Sequence, residues 1–170
     1  MTKNVYFIGI GGIGMSALAR WFLAARKTAN PERSQKTSHS ASSWRAIKWL
    51  VFGSDLTPSG ITKELAKEGV KVKIGHKPGH ISSKTDLVVY NRAIEKDNPE
   101  LVAARKLNIP VISYSKALGA LTESYETVAI TGSHGKSTTA ALAGLVLING
   151  GLGPTVFVGT NLKEFGGKNL

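Results

Sequence analysis

Two glycine-bearing segments hold the residue types and spacings that could do chemistry in this 170-residue chain. The first, Gly9-Ile10-Gly11-Gly12-Ile13-Gly14, has the spacing G-x-G-x-x-G. In such a loop Gly9 allows a tight turn, Gly11 lets a diphosphate approach the backbone, and Gly14 lets a helix pack closely on a strand. The second runs from Gly132 through Ser133, His134 and Gly135 to Lys136 and Ser137. Its glycines allow backbone N–H groups to turn inward around an anion, and a following helix adds the positive end of its dipole. Lys136 would then reach the β- and γ-phosphates of a nucleotide and the Ser137 hydroxyl would meet Mg²⁺. The spacing is G-x-x-G-K-S, with Ile130 where the usual phosphate loop has its first glycine. The plainer alternative for each segment is a structural glycine turn, the second with an exposed lysine.

Both loops need a strand before them and a helix after, and the flanking sequence offers both. Asn4–Ile8 is an apolar strand that runs into the first loop, and Met15–Ala25 has helical composition with Leu18, Phe22 and Ala25 near one face. Val128–Ile130 reads as a buried strand before the second loop, the run from Ala140 to Val146 as its helix, and Asn149-Gly150-Gly151 as the stop. Between the loops, strands at Leu50–Gly53, Val70–Ile74, Asp86–Tyr90 and Ile109–Ser113 alternate with helices at Pro58–Glu68, Asn98–Leu107 and Ser115–Leu121. Pro58 is expected in the first turn of its helix, and Pro154–Val158 as a further strand. Alternation of helices with nearly all-apolar strands predicts an α/β fold, a parallel sheet covered on both faces. An acidic residue at the end of the second strand of a dinucleotide-type unit meets the ribose about 20 residues after the last glycine. Asp55 ends that strand but follows Gly14 by 41 residues. Thr28–Ser43, rich in Ser, Thr and Lys and without apolar periodicity, reads as a surface loop or disordered insertion, Trp44–Lys48 as a short return to helix, and an insertion over about 28–50 accounts for the excess.

Composition bounds the rest. Hydrophobic residues at 42% and charged residues at 19% suit a folded globular chain. The absence of cysteine excludes disulfides and thiolate metal sites. No apolar run approaches ~20 residues, so no transmembrane helix and no membrane partner are expected. The N-terminus lacks the features of a signal peptide, and a cytoplasmic location is expected. The net charge of +11 suggests nucleic acid, yet the segment from Arg26 to Leu50 alone carries six basic residues against one acid, and the remainder is spread over helix faces. That distribution argues against a nucleic-acid partner. His76 and His80 flank Pro78-Gly79 in a turn without an evident carboxylate partner, a poor metal site. Trp44 and Trp49 are expected to pack with the insertion rather than to stack on bases.

Two phosphate-type loops on different domains suggest an enzyme that joins two phosphorylated partners. F-I-G-I-G-G-I-G-M-S-A-L-A from Phe7, G-S-D-L at 53–56, D-N-P-E at 97–100 and T-G-S-H-G-K-S-T-T at 131–139 together resemble the Mur ligase family. The resemblance covers nearly the whole chain except the insertion. It implies a Rossmann-like UDP-sugar domain over residues 1–121, followed by the start of a central P-loop ATPase domain over 122–170. The implied reaction is ATP-dependent ligation of L-alanine to UDP-N-acetylmuramate in peptidoglycan precursor synthesis, through an acyl phosphate, with ATP and Mg as cofactors. Gly11, Gly12, Ile13 and Gly14 would surround the UDP-sugar diphosphate and Asp55 would lie by the nucleoside. Asn91, Arg92, Ala93 and Ile94 would form the facing loop, with Asn91 where the family usually has a serine. Gly132, Ser133, His134, Gly135, Lys136, Ser137 and Thr138 would hold ATP, with Lys136 and Ser137 as the catalytic pair and Ser137 on Mg. Family chains are more than twice this long, so this chain alone is expected to be inactive, and its truncated second domain is expected to favour self-association. The alternatives are a ligase that attaches a recycled peptide to the same UDP-sugar, and a non-catalytic UDP-sugar- or dinucleotide-binding module.

Overall fold

The computed structural model describes residues 2–25, 44, 47–123 and 125–160. A five-stranded, wholly parallel sheet organises it, built from β1 (Thr2–Ile8), β2 (Lys48–Asp55), β3 (Lys71–Ile74), β4 (Leu87–Tyr90) and β5 (Val111–Ser113). The spatial order is β3-β2-β1-β4-β5. Helices α1 (Ile13–Ala25), α2 (Gly60–Lys67), α3 (Pro99–Lys106) and α4 (Tyr114–Thr122) connect or flank the strands, and α5 (Lys136–Asn149) lies beyond them. The α/β expectation therefore stands.

Because successive strand residues point to opposite faces, β1 feeds two cores. Val5 and Phe7 join Leu18 and Phe22 of α1, Leu65 of α2 and Leu121 of α4 on one side. Tyr6 and Ile8 join Leu101 and Ala104 of α3 on the other. From Val5 to Ile8 strand β1 is buried on both faces, and this half of it reads V-Y-F-I without the polar alternation of a one-sided strand. At the sheet edge β3 reads K-V-K-I, with Lys71 and Lys73 exposed, a charged rim that discourages pairing with another strand.

Phe22 is the hub of the larger core. Its ring meets Phe7, Trp21, Trp44 and Trp49 at centroid distances of 5.7, 5.2, 5.6 and 5.0 Å. Trp49 also donates from Nε1 to the Trp44 carbonyl at 3.0 Å. Both tryptophans thus act as packing residues, in line with the sequence reading. The expected insertion at 28–50 is too long at its C-terminal end. Lys48, Trp49 and Leu50 belong to β2 and pair with Thr2, Lys3 and Asn4 of β1. Residues 26–43 and 45–46 lie outside the described residues.

Local capping sets several boundaries. Ser59 caps α2 in a reciprocal box with Thr62, so Pro58 precedes the cap instead of entering the first turn. Asn98 caps α3, with Pro99 at the first helical position. Two expected strands, Val128–Ile130 and Pro154–Val158, are not formed. A parallel strand exists only through its ladder with a neighbour. Among the described residues neither segment has one, and Val128 is 86% exposed.

Candidate functional site

The chain moves outward from β1 through β2 to β3, then returns to the other side of β1 for β4 and β5. The carboxyl ends of β1 and β4 therefore diverge, the position at which open parallel sheets bind ligands. A cleft of about 680 Å³ opens there. Gly9, Gly11 and Gly12 form one wall, Asp55 to Thr57 and Ser59 a second, and Asn91 with Ala93 to Glu95 a third.

The end of β2 holds the glycine loop. Gly9 has φ +79°, a left-handed conformation that favours glycine. The Gly9 and Ile10 N–H groups both donate to the Ser54 carbonyl at 2.9 Å, and Gly11 N–H donates to Asp55 Oδ2 at 2.7 Å. A Cβ at Gly11 would stand 2.8 Å from that same carboxylate oxygen, so Asp55 fills the space beside the glycine. The loop runs into α1 through Ser16 N–H, which donates to the Gly12 carbonyl at 2.9 Å. Across the cleft Asn91 Oδ1 accepts from Ala93 N–H at 3.2 Å, shaping its own turn. Its Nδ2 faces the loop, 3.0 Å from where a Cβ on Gly12 would lie. Among the described residues the lining contains Asp55, Glu95 and Asp97 but no Lys or Arg. A ligand phosphate would therefore be met by backbone N–H groups and the start of α1, with the carboxylates left for donor groups.

Below the cleft lies a polar cluster of a kind the sequence reading did not anticipate. Glu100, in the first turn of α3, is wholly buried. Its Oε1 accepts from Tyr6 Oη at 3.0 Å and contacts His80 Nδ1 at 2.7 Å. Its Oε2 accepts from Ser54 Oγ at 2.5 Å and contacts His76 Nδ1 at 2.9 Å. Burial, reinforced by the neighbouring carboxylate and partly offset by Ser54, pushes the Tyr6 phenol far above its ordinary range. The turn at 76–80 does have a carboxylate partner, contrary to expectation, and it comes from α3 across the fold. His76 also lines the cleft. The histidines serve as hydrogen-bond partners; among the described residues no group of three His, Cys, Asp or Glu is arranged to hold a metal.

Comparison with known proteins bears on this arrangement. The sequence profile of the Mur ligase family, catalytic domain, matches residues 49–126. A UDP-N-acetylmuramate–L-alanine ligase from Aquifex aeolicus is 40% identical over 164 residues, 96% of this chain and 31% of that protein. One from Campylobacter jejuni is 42% identical over 166 residues, 98% of this chain and 32% of that protein. The crystal structure of the UDP-N-acetylmuramate-alanine ligase MurC of Thermotoga maritima superposes with a TM-score of 0.78 at 27% identity, over 98% of this chain and 34% of that one. The chain is similar to Mur ligases over nearly all of its length. It spans about a third of the length of the curated relatives it matches.

Within this chain, the cleft brings together Gly11, Gly12, Asp55, Asn91, Ala93 and Ile94 of the expected set. Ile13, Gly14 and Arg92 do not line it. Ile13 begins α1. A Cβ at Gly14 would lie 2.8 Å from the Tyr114 ring, so the close packing that Gly14 permits is against α4, not a strand. Gly9, Ser59, His76 and Asn98 are additional lining residues. Gly9 was legible as the turn glycine; Ser59 and Asn98 carry the signal of helix caps.

The second loop has the turn and helix of a phosphate loop, without its strand. Gly132 and Gly135 have φ of +147° and +76°, and α5 starts at Lys136. Among the described residues no side chain caps this helix, and its first turn has no acidic residue. Lys136 Nζ folds back to the carbonyls of Gly132 at 2.6 Å and Ser133 at 3.1 Å. Ser133, His134 and Thr138 are exposed, and Ser137 is half-buried. Among the described residues no helix is long and apolar enough to cross a membrane.

Proposed function

We propose that this chain provides the UDP-sugar site and the opening of the ATP site of a cytoplasmic ligase that joins L-alanine to UDP-N-acetylmuramate in peptidoglycan precursor synthesis. Residues 1–121 form the UDP-sugar domain in this reading, and residues 122–170 begin the ATP-binding domain. The observation that carries it is the cleft at the divergence of β1 and β4, which gathers the glycine loop, Asp55 and the Asn91 turn in one space. Relatives named for this reaction, at about 40% identity over nearly all of the chain, support it.

The diphosphate lies along Gly11 and Gly12 at the start of α1, within reach of Asn91 Nδ2, with Ile13 and Gly14 opening α1 and Arg92 in the facing turn. Asp55 then exchanges its bond to Gly11 N–H for donor groups of the nucleoside. At the second loop the uncapped turn of α5 and the Lys136 ammonium suit the phosphates of ATP. Gly132, Ser133, His134, Gly135 and Thr138 would line them, with Ser137 on Mg. ATP, when bound, supplies the phosphoryl group that activates a carboxylate toward the amine of alanine. Lys136 contributes charge at the transferring end, because phosphoryl transfer is mainly positioning and charge neutralisation.

Calorimetric titration of the chain with UDP-N-acetylmuramate, NADH and a duplex oligonucleotide tests the reading. Saturable binding of the UDP-sugar alone is expected. Preference for NADH would favour a dinucleotide-binding module, and binding of the duplex alone would overturn both. Gly12→Ala aims a methyl group at Asn91 Nδ2 across the cleft and should weaken UDP-sugar binding at least about tenfold.

A further inference from the structure

The buried Glu100 has more partners than a structural carboxylate needs. Asn98 Oδ1 already caps α3 through Glu100 N–H and Leu101 N–H, so the Glu100 side chain is not required for the cap. Its two oxygens instead gather groups from β1 (Tyr6), the end of β2 (Ser54) and both sides of the turn after β3 (His76 and His80). As a carboxylate Glu100 accepts only, and its four lone-pair positions are filled by four neighbours, each of which must donate. Tyr6 and Ser54 donate through their hydroxyls, and both histidines through Nδ1–H. A proton fixed on Nδ1 leaves Nε2 as the second polar atom of the ring. His80 and His76 are only 14% and 12% exposed, and His76 is the one that lines the cleft. Ser54 couples the cluster to the glycine loop, because its carbonyl anchors Gly9 and Ile10 while its hydroxyl holds Glu100.

We propose that Glu100 is a positioning residue for ligand binding: it holds His76 with the proton on Nδ1, so that Nε2 is offered to the cleft as an acceptor for an N–H or O–H group of the nucleoside. The inference rests on the nucleotide-sugar reading of the cleft. His76 then acts beside Asp55, and the two acceptors together select a ligand that presents donors at that end. Without Glu100 nothing among its observed partners fixes the tautomer, since Ser54 Oγ, 3.2 Å from His76 Nδ1, can either give or take a hydrogen bond.

Two measurements on the full chain test this. Long-range proton–nitrogen correlation of nitrogen-15-labelled histidine in the parent, with His76→Phe used to assign the resonance, should find neutral His76 protonated on Nδ1. Protonation on Nε2 would overturn the proposal without any ligand. Calorimetry with UDP should then show at least about a tenfold loss of affinity in His76→Phe, which retains Glu100. Glu100→Gln places an NH₂ against four donors, so at least one partner must turn or change tautomer. If it folds, it should lose comparable affinity and alter the His76 nitrogen signature. A comparison with 2′-deoxy-UDP identifies the donor: equal losses put it on the base or 3′-hydroxyl, and a loss confined to UDP puts it on the 2′-hydroxyl. Binding of UDP by His76→Phe within twofold of the parent would overturn this inference alone. A folded parent that binds no UDP would overturn the nucleotide-sugar reading and this inference with it.

Discussion

Gly53 is the residue at which the sheet and the site are most tightly joined. It sits in β2 opposite Phe7 of β1, one position before the Ser54 carbonyl that anchors the glycine loop. A Cβ there would fall 2.7 Å from Ile10 Cδ1, 3.1 Å from Ile10 Cβ and 2.8 Å from the Phe7 carbonyl oxygen. The Cδ1 atom can swing aside, but the carbonyl belongs to the backbone of the central strand and can move only if the ladder opens. Overpacking of this kind costs about 1–3 kcal/mol, and two immobile neighbours put Gly53→Ala in the upper part of that range. The smaller backbone entropy of alanine in the unfolded chain returns up to about 1 kcal/mol. A net loss of about 1–2 kcal/mol remains, which lowers the melting temperature by roughly 3–10 °C in a domain of this size. Thermal unfolding followed by circular dichroism measures it, with Gly60→Ala as the control. Nothing lies within 4 Å of a Cβ at Gly60, which opens α2, so that variant should be neutral or slightly more stable. If Gly53→Ala melts at or above the parent, the close approach of β1 and β2 at the loop is wrong.

Other perturbations follow from the same contacts. Arg20, 5% exposed, donates to Glu68 at 3.0 Å and Glu64 at 3.2 Å, tying α1 to α2 and the turn after it. Arg20→Met retains the packing and loses these bonds, so urea unfolding should show a loss of about 1–3 kcal/mol; the reasoning fails if stability is unchanged. Burial raises the phenols of Tyr6 and Tyr114 above their usual value. Folding therefore favours their protonated forms, and stability should be level below about pH 10 and fall above it as the unfolded chain ionises first. Phenolate absorbance should show Tyr6 and Tyr114 ionising at higher pH in the folded protein than in the chain unfolded in urea. Lys136→Ala alters an exposed side chain, so the melting temperature should hold while any ATP affinity drops at least about tenfold. Unchanged ATP binding would remove Lys136 from the proposed site.

Legibility in the sequence followed the range of the interactions. The strand–loop–helix unit around Gly9 was readable because its determinants are contiguous: the apolar run of β1, the turn glycine and the apolar stripe of α1. Caps at Ser59 and Asn98 are equally local, although Ser59 displaced Pro58 from the helix. Gly11 was readable as a site of close approach; that its neighbour in this structure is the Asp55 carboxylate depends on a contact 44 residues away. For this reason Gly11→Val is a poor probe of the ligand, since it would damage the loop in any case. The Glu100 cluster was hidden because its partners lie between 20 and 94 residues from it. Each looked ordinary alone, and only the sheet order brings them together. The strands expected at Val128–Ile130 and Pro154–Val158 failed for a related reason. Their composition suits a strand, but a strand also needs a neighbour, which composition does not supply.

The central claim is that the cleft between β1 and β4 is the UDP-sugar site, and backbone amide resonances followed during titration with UDP-N-acetylmuramate test it most directly. Saturable shifts are expected at Gly9, Gly11 and Gly12, at Asp55, and at Asn91, Ala93 and Ile94, while Gly132 to Thr138 remain unmoved until ATP is added. Saturation of the chain with no change at the first glycine loop, or with changes confined to the second, would contradict the account.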